Sequence, residues 1–347
     1  MKKSISITSL SIPHYENVLY FTDPSVGLEG YIAIHSTSRG PALGGTRFWP
    51  YASKDDALQD VLRLAEGMSL KAAGADLPLG GGKAVLIGDP KVLKCPDYFH
   101  AYGEVIESLQ GQYITAEDMN ITTEDIQLIS EKTSFVVGRS GLAGNPSPWT
   151  ALGVFHGLVA TLEAALPNVS ISSLSFAIQG VGETGFHLLT NLIKHGAKHI
   201  SIADINPDKR QRVQQTYPFV KIVDDRTLLS LKVDVLCPCA FGGVLNSHTL
   251  PIIQAKVIAG SANNIFLDPY KDPYAFHDQG ILVAPDYLIN AGGLMCVHHE
   301  LIHHVSVETL TTQLRLIGTR LKTLYKRAKE ANLNPFSYSL QLVQSLL

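Results

Sequence analysis

The chain has 347 residues, of which 45% are hydrophobic and 17% charged, and a formal net charge of −3, values that indicate a globular protein long enough for two domains. The lack of a basic run argues against nucleic-acid binding, and no apolar stretch has the length of a membrane span. Four cysteines do not indicate a disulfide framework in a chain this long, and the N-terminus lacks a signal-peptide core, so we expect a cytoplasmic protein.

The first 145 residues are predicted to mix strands with helices. Apolar runs predict strands at residues 28–34 and 84–87. A helix is expected to begin after Ser53, which forms the pattern of a capping box with Asp56. The apolar positions of this helix recur at helical spacing, at Val61, Leu64, Ala65 and Met68.

Two lysines lie where the sequence predicts apolar surroundings. Lys71 lies three residues beyond Met68 on the same side of the helix, and Lys83 follows the glycines of residues 80–82 and leads into an apolar segment. Burial removes hydration from an ammonium group and lowers its pKa, so a buried lysine can exchange protons near neutral pH. Glycine lets a ligand approach the backbone closely. We therefore predict an active site within residues 67–90.

The second half of the chain has a more regular pattern. Residues 138–148 are rich in glycine, proline and serine, so we place a hinge there and a domain boundary at residue 145. A long helix is expected from Thr150, and a helical region from Gly293 to about Lys329. Between them, strand candidates alternate with helical or loop segments, at residues 199–204, 219–223, 233–236, 257–259 and 281–284. This alternation predicts an α/β fold with a doubly wound parallel sheet.

Residues 175–189 carry a dinucleotide-binding pattern. An apolar strand, a glycine turn and an amphipathic helix start follow one another, which is the context that the pattern requires. The turn contains Gly180, Val181, Gly182 and Gly185, whose glycines permit a tight turn, approach of a pyrophosphate, and close packing of helix on strand. The next strand ends at Asp204, whose carboxylate would bind a ribose 2′-hydroxyl and repel a 2′-phosphate, so we expect NAD as the cofactor. Asp204 could also be a turn residue at the strand end.

A second pattern competes with this interpretation. His299, Glu300 and His303 form H-E-x-x-H, the spacing that places two imidazoles on one helical face for zinc and would indicate a zinc hydrolase. We do not favour a metal site, because 13 histidines make a chance match easy and no third ligand is evident at an expected spacing. We interpret the histidines at 298, 299, 303 and 304 as a helix surface or a subunit contact.

Several further segments are long, ordered and specific: residues 40–47, 77–83 with Val85 and residues 89–90, 115–118, 145–148 with Thr150, 238–240, 260–264 and 284–293. Together with the lysines and the glycine turn, they resemble the glutamate/leucine/phenylalanine/valine dehydrogenase family, and its leucine-type branch most of all. The resemblance covers about residues 40–300. It implies an N-terminal α/β substrate and oligomerisation domain at 1–145 and a Rossmann NAD-binding domain at 146–324, with the tail 325–347 packed on the first.

The resemblance also implies a role for individual residues. Lys83 matches the catalytic lysine, Asp118 the aspartate that handles the proton on the substrate amine, and Lys71 the lysine that binds the substrate carboxylate. Positions around that carboxylate are matched by Gly44 and by Asn263 or Asn264. The cofactor contacts are matched by Thr150 and Asn290 on the nicotinamide side and by Ala240 on the adenosine side. The pocket for the substrate side chain is matched by Leu43, Ala116, Leu294 and Val297.

These residue types suit the oxidation of an amino acid to a 2-oxo acid and ammonia. Hydride transfer from Cα to the nicotinamide requires a neutral amine, so Asp118 must receive its proton. Water must then attack the resulting iminium, and a desolvated lysine such as Lys83 is a suitable base. A cleft between two domains would exclude bulk water, and the hinge would allow it to close.

The choice of substrate follows from four apolar side chains. Leu43 stands where glutamate-specific relatives carry a lysine, so glutamate should be a poor substrate. Ala116 favours valine, leucine and isoleucine, whereas Leu294 resembles aromatic-specific relatives, and a phenylalanine or tryptophan dehydrogenase is the alternative. A tail shorter than in the leucine-type branch favours a homodimer over an octamer.

Other interpretations of these residues stay open. Lys71 could extend from an apolar helix face into water, Asp118 could be the N-cap of a helix at 121–129, and the asparagines at 263 and 264 could be loop residues in a left-handed conformation. Glu183 places a carboxylate inside the glycine turn, which would weaken cofactor binding unless it points away. The chain could also bind a dinucleotide without catalysing a reaction.

Overall fold

The computed structural model describes residues 5–138, 145–240, 242–302 and 306–347. The chain divides into two compact units, residues 1–144 with 297–305 and 346–347, and residues 145–296 with 306–345. The division falls beside residue 145. The segment expected to act as a hinge, 138–148, lies partly outside the described residues, so its role stays a prediction.

The first unit is built on one mixed sheet. Its strands are β1 (Ser6–Leu10), β2 (Asn17–Asp23), β3 (Leu28–Ser36), β4 (Ala42–Leu43), β5 (Thr46–Trp49), β6 (Gly80–Ile87) and β7 (Tyr113–Ile114). Its helices are α1 (Lys54–Gly74), α2 (Pro90–Leu93), α3 (Pro96–Glu107) and α4 (Thr123–Ser130). The strand order is β1-β2-β3-β6-β4-β7, and β5 also pairs with β6. The pairs β1–β2, β2–β3 and β3–β6 are antiparallel, whereas β4 and β5 run parallel to β6.

Both faces of this sheet are covered by apolar side chains. Ala84 and Leu86 of β6 belong to the core that contains Tyr102 of α3, whereas Val85 belongs to the core that contains Val61 of α1. Successive residues of a strand point to opposite faces, so Lys83 points to the same face as Val85. Strand pairing therefore fixes the face of the sheet on which the second lysine lies.

Helix α1 begins as its sequence predicts. Ser53 is the N-cap and its side chain accepts a hydrogen bond from the Asp56 backbone N–H at 3.1 Å. The buried positions are those at four-residue spacing, with Ala57, Val61 and Ala65 fully buried. Leu64, Met68 and Lys71 lie on the half-buried flank of this stripe. Lys71 is thus at the edge of the core, not in it.

The second unit contains the predicted doubly wound fold. Its strands are β8 (Ser175–Gln179), β9 (His199–Ala203), β10 (Lys221–Ile222), β11 (Val235–Pro238), β12 (Val257–Ile258) and β13 (Leu282–Val283). Its helices, with one that runs on to residue 301, are α5 (Ser147–Ala165), α6 (Glu183–Lys194), α7 (Pro207–Thr216), α8 (Asp225–Ser230), α9 (Asp272–Asp278), α10 (Asp286–Ile289), α11 (Gly292–Leu301), α12 (Val307–Glu330) and α13 (Pro335–Gln344).

The sheet of the second unit is parallel throughout, in the order β10-β9-β8-β11-β12-β13. The strand order reverses between β8 and β11, and in such sheets ligands bind beyond the carboxyl ends of the strands at this point. The glycine turn follows β8 directly. The α/β fold predicted from the sequence is confirmed, with several strands shorter than expected.

The tail does not pack where the resemblance implies. Asn334 donates a hydrogen bond from Nδ2 to the Pro273 carbonyl oxygen at 2.6 Å, and the Phe336 ring lies 4.9 Å from that of Phe266. The Ser339 hydroxyl is hydrogen-bonded to the Tyr287 hydroxyl. These partners belong to the second unit, so the expected packing of 325–347 on the first domain is wrong for residues up to 345. The apolar face of α13 explains this, because it is buried against α9 and β13. Among the helices that the structure describes, none is long and apolar enough to cross a membrane.

Candidate active site

The glycines of the lysine segment form part of β6 instead of a loop before it. A Cβ atom on Gly81 would lie 2.1 Å from the Ser69 backbone nitrogen, and one on Gly80 would lie 2.0 Å from the Ser36 carbonyl oxygen. A Cβ atom on Gly82 would lie 2.8 Å from the Tyr113 ring. The protein's own atoms therefore fill the space beside these glycines. Their physical reason is close packing of β6 against its neighbours, and not the ligand approach that we expected.

Lys83 follows these glycines and is almost fully buried, with 7% of its surface exposed. Its Nζ lies 2.6 Å from Oδ2 of Asp118, in an ion pair. Asp118 is not a helix cap, because α4 begins at Thr123 and has Thr122 as its N-cap, in a capping box with Asp125. Two residues that the sequence singled out separately are thus in contact, and the N-cap interpretation of Asp118 is wrong.

Arg47 is a third charged residue at this position, and the sequence analysis gave it no role. Its Nε lies 3.5 Å from Asp118 Oδ2, and its Nη1 lies 2.8 Å from Asp60 Oδ2. The Tyr51 hydroxyl donates a hydrogen bond to the same Asp60 oxygen at 2.7 Å. Burial raises the pKa of Asp118, but the charges of Lys83 and Arg47 outweigh burial and hold that pKa below its usual value. The only signal in the sequence was that Arg47 ends the segment 40–47.

A buried group of hydroxyls holds the surrounding strands in register. Thr46 Oγ1 lies 2.6 Å from the Tyr102 hydroxyl and 2.6 Å from Thr115 Oγ1. The Tyr113 hydroxyl donates a hydrogen bond to the Gly44 carbonyl oxygen at 2.6 Å. Because the side chains that make these bonds are buried, they fix the segments from which Arg47 and Asp118 extend.

The other candidate residues of the first unit are near these charged residues in the sequence or lie on strands that pair with theirs. Leu43 and Ala116 are buried, with 2% and 8% of their surfaces exposed. A Cβ atom on Gly44 would lie 1.8 Å from the Gly82 carbonyl oxygen and 3.3 Å from Met68 Cγ. Met68 lies one turn before Lys71, so Gly44 packs against the last turns of α1. These contacts bring Gly44 and the Lys71 end of α1 together.

The glycine turn of the second unit has a different environment. Gly180 has a positive φ of 88°, and a Cβ atom on Gly185 would lie 2.1 Å from the Gly180 carbonyl oxygen. A Cβ atom on Gly182 would have only one described atom within 4 Å, Lys209 Nζ at 3.5 Å. Gly180 and Gly185 are thus required by the turn, whereas Gly182 leaves open space at the N-terminus of α6. Ala240 adjoins the turn, because its Cβ lies 2.8 Å from a Cβ atom built on Gly180.

Asp204 supports the turn from the end of β9. Its Oδ2 accepts a hydrogen bond from the Val181 backbone N–H at 2.9 Å, and its Oδ1 accepts one from the Asn206 N–H at 2.8 Å. Arg210 Nη1 donates a hydrogen bond to the Asp204 carbonyl oxygen at 2.5 Å. Asp204 is therefore a turn residue at the end of its strand, and its carboxylate also lies directly beside the glycine turn.

Glu183 is paired with Arg212 instead of facing the turn alone. Arg212 Nη1 lies 2.8 Å from Glu183 Oε1, and its guanidinium carbon lies 3.9 Å from the centre of the Phe186 ring. The positive charge offsets the carboxylate that departs from the family pattern. Helix α7, which carries Lys209 and Arg212, thus places two cations beside the start of α6.

Asn290 has one buried oxygen free. Its Nδ2 donates to Asn263 Oδ1 at 2.8 Å and lies 3.2 Å from the Ser261 carbonyl oxygen. Its Oδ1 is buried and has no hydrogen-bond partner among the described residues. Asn264 has a φ of 49°, so its left-handed backbone explains an asparagine there without a ligand. Thr150 donates from Oγ1 to the Pro146 carbonyl oxygen at 3.0 Å.

Helix α11 carries the last candidates. Leu294 is buried and Val297 is half-buried. His299 is also buried, with 2% of its surface exposed, so it is not part of a helix surface as we expected. Glu300 accepts a hydrogen bond from the Gly138 backbone N–H at 2.9 Å. His303 and His304 lie outside the described residues. Among the residues that the structure describes, no three metal-binding side chains are grouped.

Comparisons with known proteins identify the family. Residues 16–135 match the model described as Glu/Leu/Phe/Val dehydrogenase, dimerisation domain, and residues 207–337 match Glutamate/Leucine/Phenylalanine/Valine dehydrogenase. A leucine dehydrogenase of Geobacillus stearothermophilus is 43% identical over 92% of this chain and 87% of its own. A phenylalanine dehydrogenase of Bacillus thermotolerans is 42% identical over 90% of this chain and 83% of its own.

A solved structure of a third relative is also similar to this chain. The crystal structure of L-tryptophan dehydrogenase from Nostoc punctiforme is 38% identical, covers 96% of this chain and 95% of its own, and superposes with a TM-score of 0.80. These three relatives are named for different substrates, and their sequence identities to this chain are almost equal. The chain belongs to the Glu/Leu/Phe/Val dehydrogenase family, whose members are amino-acid dehydrogenases, oxidoreductases that act on the CH–NH2 group.

Proposed function

We propose that this protein catalyses the NAD-dependent, reversible oxidative deamination of an apolar L-amino acid of the leucine, valine or isoleucine type. The observation that carries the proposal is the buried contact of 2.6 Å between Lys83 and Asp118. A lysine and a carboxylate in contact can exchange a proton. Both groups are needed where an amine must lose a proton and a water must be activated.

Asp118 is the group that takes the proton from the substrate ammonium. Its pKa lies below the usual value, so the carboxylate is ionised and able to accept when a substrate arrives. Lys83, in its neutral form, removes a proton from the water that attacks the imine carbon. Asp118 then gives the proton that it took from the substrate to the amine nitrogen, and the C–N bond breaks as the hydroxyl proton returns to Asp118, so that ammonia leaves. Asp118 releases its proton to ammonia and Lys83 releases its proton to water, and both residues return to their starting state.

Lys71 binds the substrate carboxylate in this proposal. It lies at the half-buried end of α1, and the backbone of Gly44 packs against the preceding turn of that helix. An ammonium there makes a charge-assisted hydrogen bond to a carboxylate. Because the contact is the same in every amino acid, it fixes the common part of the substrate and leaves the choice of side chain to other residues.

In the first unit, the residues that we assign to the substrate side chain are Leu43, Ala116 and Val297, and none of them carries a charge. A glutamate side chain would lose its hydration without gaining a partner, so glutamate should be a poor substrate. The choice among apolar side chains rests on Ala116, whose methyl group would crowd an aromatic ring. Differences of one methylene in such a pocket are worth about 1–3 kcal/mol.

The cofactor site fits a dinucleotide. Among the described residues, few atoms lie near Gly182 and none donates a hydrogen bond to Asn290 Oδ1. The space at Gly182 suits a pyrophosphate at the N-terminus of α6, and Asn290 Oδ1 suits the amide N–H of a nicotinamide. The cofactor supplies the acceptor for the substrate hydride. Asp204 lies beside Val181 of the turn, where its charge favours a free ribose 2′-hydroxyl over a 2′-phosphate. We therefore propose NAD over NADP, and measuring activity with both cofactors tests it, since equal use would contradict it.

The main test is a substrate screen. NADH absorbance is followed while the purified protein is offered each L-amino acid with NAD, and each 2-oxo acid with ammonium and NADH. We expect turnover with leucine, valine and isoleucine above that with phenylalanine, and little with glutamate. A higher kcat/KM for phenylalanine than for leucine would move the protein to the aromatic alternative. NADH binding without turnover of any substrate would contradict the catalytic proposal altogether.

The assembly is also part of the proposal. The first unit matches a model described as a dimerisation domain, which supports a homo-oligomer. We propose a dimer, in line with the description of that domain. Light scattering of the purified protein distinguishes a dimer from an octamer by mass.

A further inference from the structure

Arg47 is a charged side chain of the first-unit site that the proposed chemistry leaves without a task. Its side chain is largely buried, with 22% exposed, and it lies between two carboxylates. Nη1 is 2.8 Å from Asp60, whereas Nε is 3.5 Å from Asp118. The buried Nε makes no hydrogen bond within the described ranges of the chain. One donor of the guanidinium therefore binds Asp60, and another lies near the proton acceptor Asp118 without a hydrogen bond to it.

We propose that Arg47 is a positioning residue that holds Asp118 in place and favours its ionised form, so that Asp118 can release the proton that it accepts. This inference rests on the proposed function, because it concerns the proton that Asp118 exchanges. The contact with Lys83 is shorter, at 2.6 Å against 3.5 Å for Arg47. Lys83, however, must change its own protonation state during the reaction, so it cannot be a constant counter-ion.

Arginine differs from lysine in the property that this role requires. The guanidinium stays protonated at every pH that a protein survives, so its charge at Asp118 does not depend on the step of the reaction. When Lys83 is neutral, Arg47 is the cation that still opposes protonation of Asp118. Without it, a buried carboxylate would hold its proton too firmly to give it up again.

The long distance between Arg47 Nε and Asp118 matters for the basicity of Asp118. A full bidentate pair with Asp118 would make that carboxylate a very weak base. Asp60 instead takes the direct hydrogen bond, and Tyr51 fixes Asp60 with another at 2.7 Å. Arg47 is therefore held from the α1 side and acts on Asp118 mainly by its charge.

Charged and titratable groups reach Asp118 from three elements. Lys83 comes from β6, Arg47 from β5, and Asp60 of α1 lies behind Arg47 together with Tyr51. Asp60 partly cancels the charge of Arg47, so removing the arginine leaves two carboxylates and one lysine. The sign of the effect follows: the pKa of Asp118 rises when Arg47 is replaced by a neutral residue.

The test measures Asp118 directly and then through catalysis. In protein labelled with 13C at the aspartate carboxyl carbons, the Asp118 signal is identified by its loss in Asp118→Asn. We expect Arg47→Gln to move the titration midpoint of this signal upward by about one pH unit. The acid limb of kcat/KM for amino-acid oxidation should move in the same direction, because Asp118 must be ionised to accept the proton.

Matched variants separate charge from architecture. Arg63→Gln removes a cation that lies 3.9 Å from Asp60 and has no recorded contact with Asp118, so the midpoint should not move. Arg47→Lys keeps a positive charge but cannot span both carboxylates, and we expect a smaller upward shift. It also carries the test if Arg47→Gln does not fold. An unmoved Asp118 midpoint in a folded Arg47 variant would overturn the inference.

The two readouts keep this inference apart from the proposed function. If the wild-type protein oxidises no amino acid, the proposed function fails, while the carboxyl titration still decides whether Arg47 controls Asp118. If the protein is active and Arg47→Gln lowers kcat equally at all pH values with the midpoint in place, Arg47 only stabilises the packing of β5 on α1 and the inference is wrong.

Discussion

Two glycine-rich segments of this protein have similar sequences and opposite environments. In the segment of residues 80–82, a Cβ atom on any glycine would meet atoms of the protein within 2.0 to 2.8 Å. At Gly182 of the dinucleotide turn, the only atom of a described residue near a Cβ atom would be Lys209 Nζ, at 3.5 Å. The first segment uses glycine to bring strands and α1 close together. The second uses Gly182 to leave room.

Proton chemistry and cofactor binding thus depend on different segments of this chain. Close packing at Gly80–Gly82 sets the depth at which Lys83 lies, and so its contact with Asp118. Open space at Gly182 leaves backbone N–H groups at the start of α6 available to an anion. Substitutions in the two segments should therefore affect different measurements, and the predictions below use this difference.

The largest effect is expected at the lysine that follows the packed segment. Lys83→Met removes the base and the ion pair with Asp118, and it should lower kcat by roughly 10³-fold. The dissociation constant of NADH, measured by fluorescence, should stay the same because Lys83 lies in the first unit. Turnover within tenfold of the wild-type value would show that Lys83 is not the base.

Gly81→Ala should act on stability. Its Cβ atom would lie 2.1 Å from the Ser69 backbone nitrogen, which cannot move away as a flexible side chain could. We expect the free energy of unfolding to fall by about 3 kcal/mol, as in other overpacked cores. Chemical denaturation measures this, and a loss below 1 kcal/mol would mean that β6 and α1 separate easily.

Gly182→Ala is the matched substitution in the open segment. The backbone there has a φ of −61°, which alanine adopts without strain, so the free energy of unfolding should change little. The added methyl group occupies the space proposed for the pyrophosphate, and the dissociation constant of NADH should rise about tenfold. Unchanged NADH binding would contradict the position that we propose for the cofactor.

The smallest effect is expected at Lys209. Its Nζ is the only described atom near the open side of Gly182, but the residue is exposed and its charge is screened by water. Lys209→Met should raise the dissociation constants of NADH and NADPH by about threefold each, since both contain the pyrophosphate. A change confined to NADPH would instead assign Lys209 to the ribose 2′-phosphate.

The α/β class, the doubly wound sheet and the contacts within α1 could be predicted because they depend on local patterns. Ser53 caps α1 through its own side chain, and strands alternate with helices at a spacing visible in the sequence. The packing of α13 could not be predicted in this way. Its apolar face specifies burial but not the partner, and the partners proved to be α9 and β13 of the second unit.

The candidate site shows the same limit. Lys83 and Asp118 were recognisable from their segments, yet nothing local indicates that 35 residues of chain bring them to 2.6 Å. Arg47 lacked even a local signal beyond its segment, because an arginine on a short strand is ordinarily a surface residue. Its task became visible only through Asp60 on α1 and Asp118 after β7.

Local patterns along the chain specify most helices and strands of this protein, the order of its two α/β halves, and the residues proposed for proton chemistry and dinucleotide binding. Helix caps, strand periodicity and glycine turns depend on a few neighbouring residues, so they can be predicted from the sequence. The tertiary structure alone decided which glycines are filled and which are open, where the tail packs, and which cations surround Asp118. Those outcomes depend on atoms distant in the chain, since packing and electrostatic energy vary with separation in space.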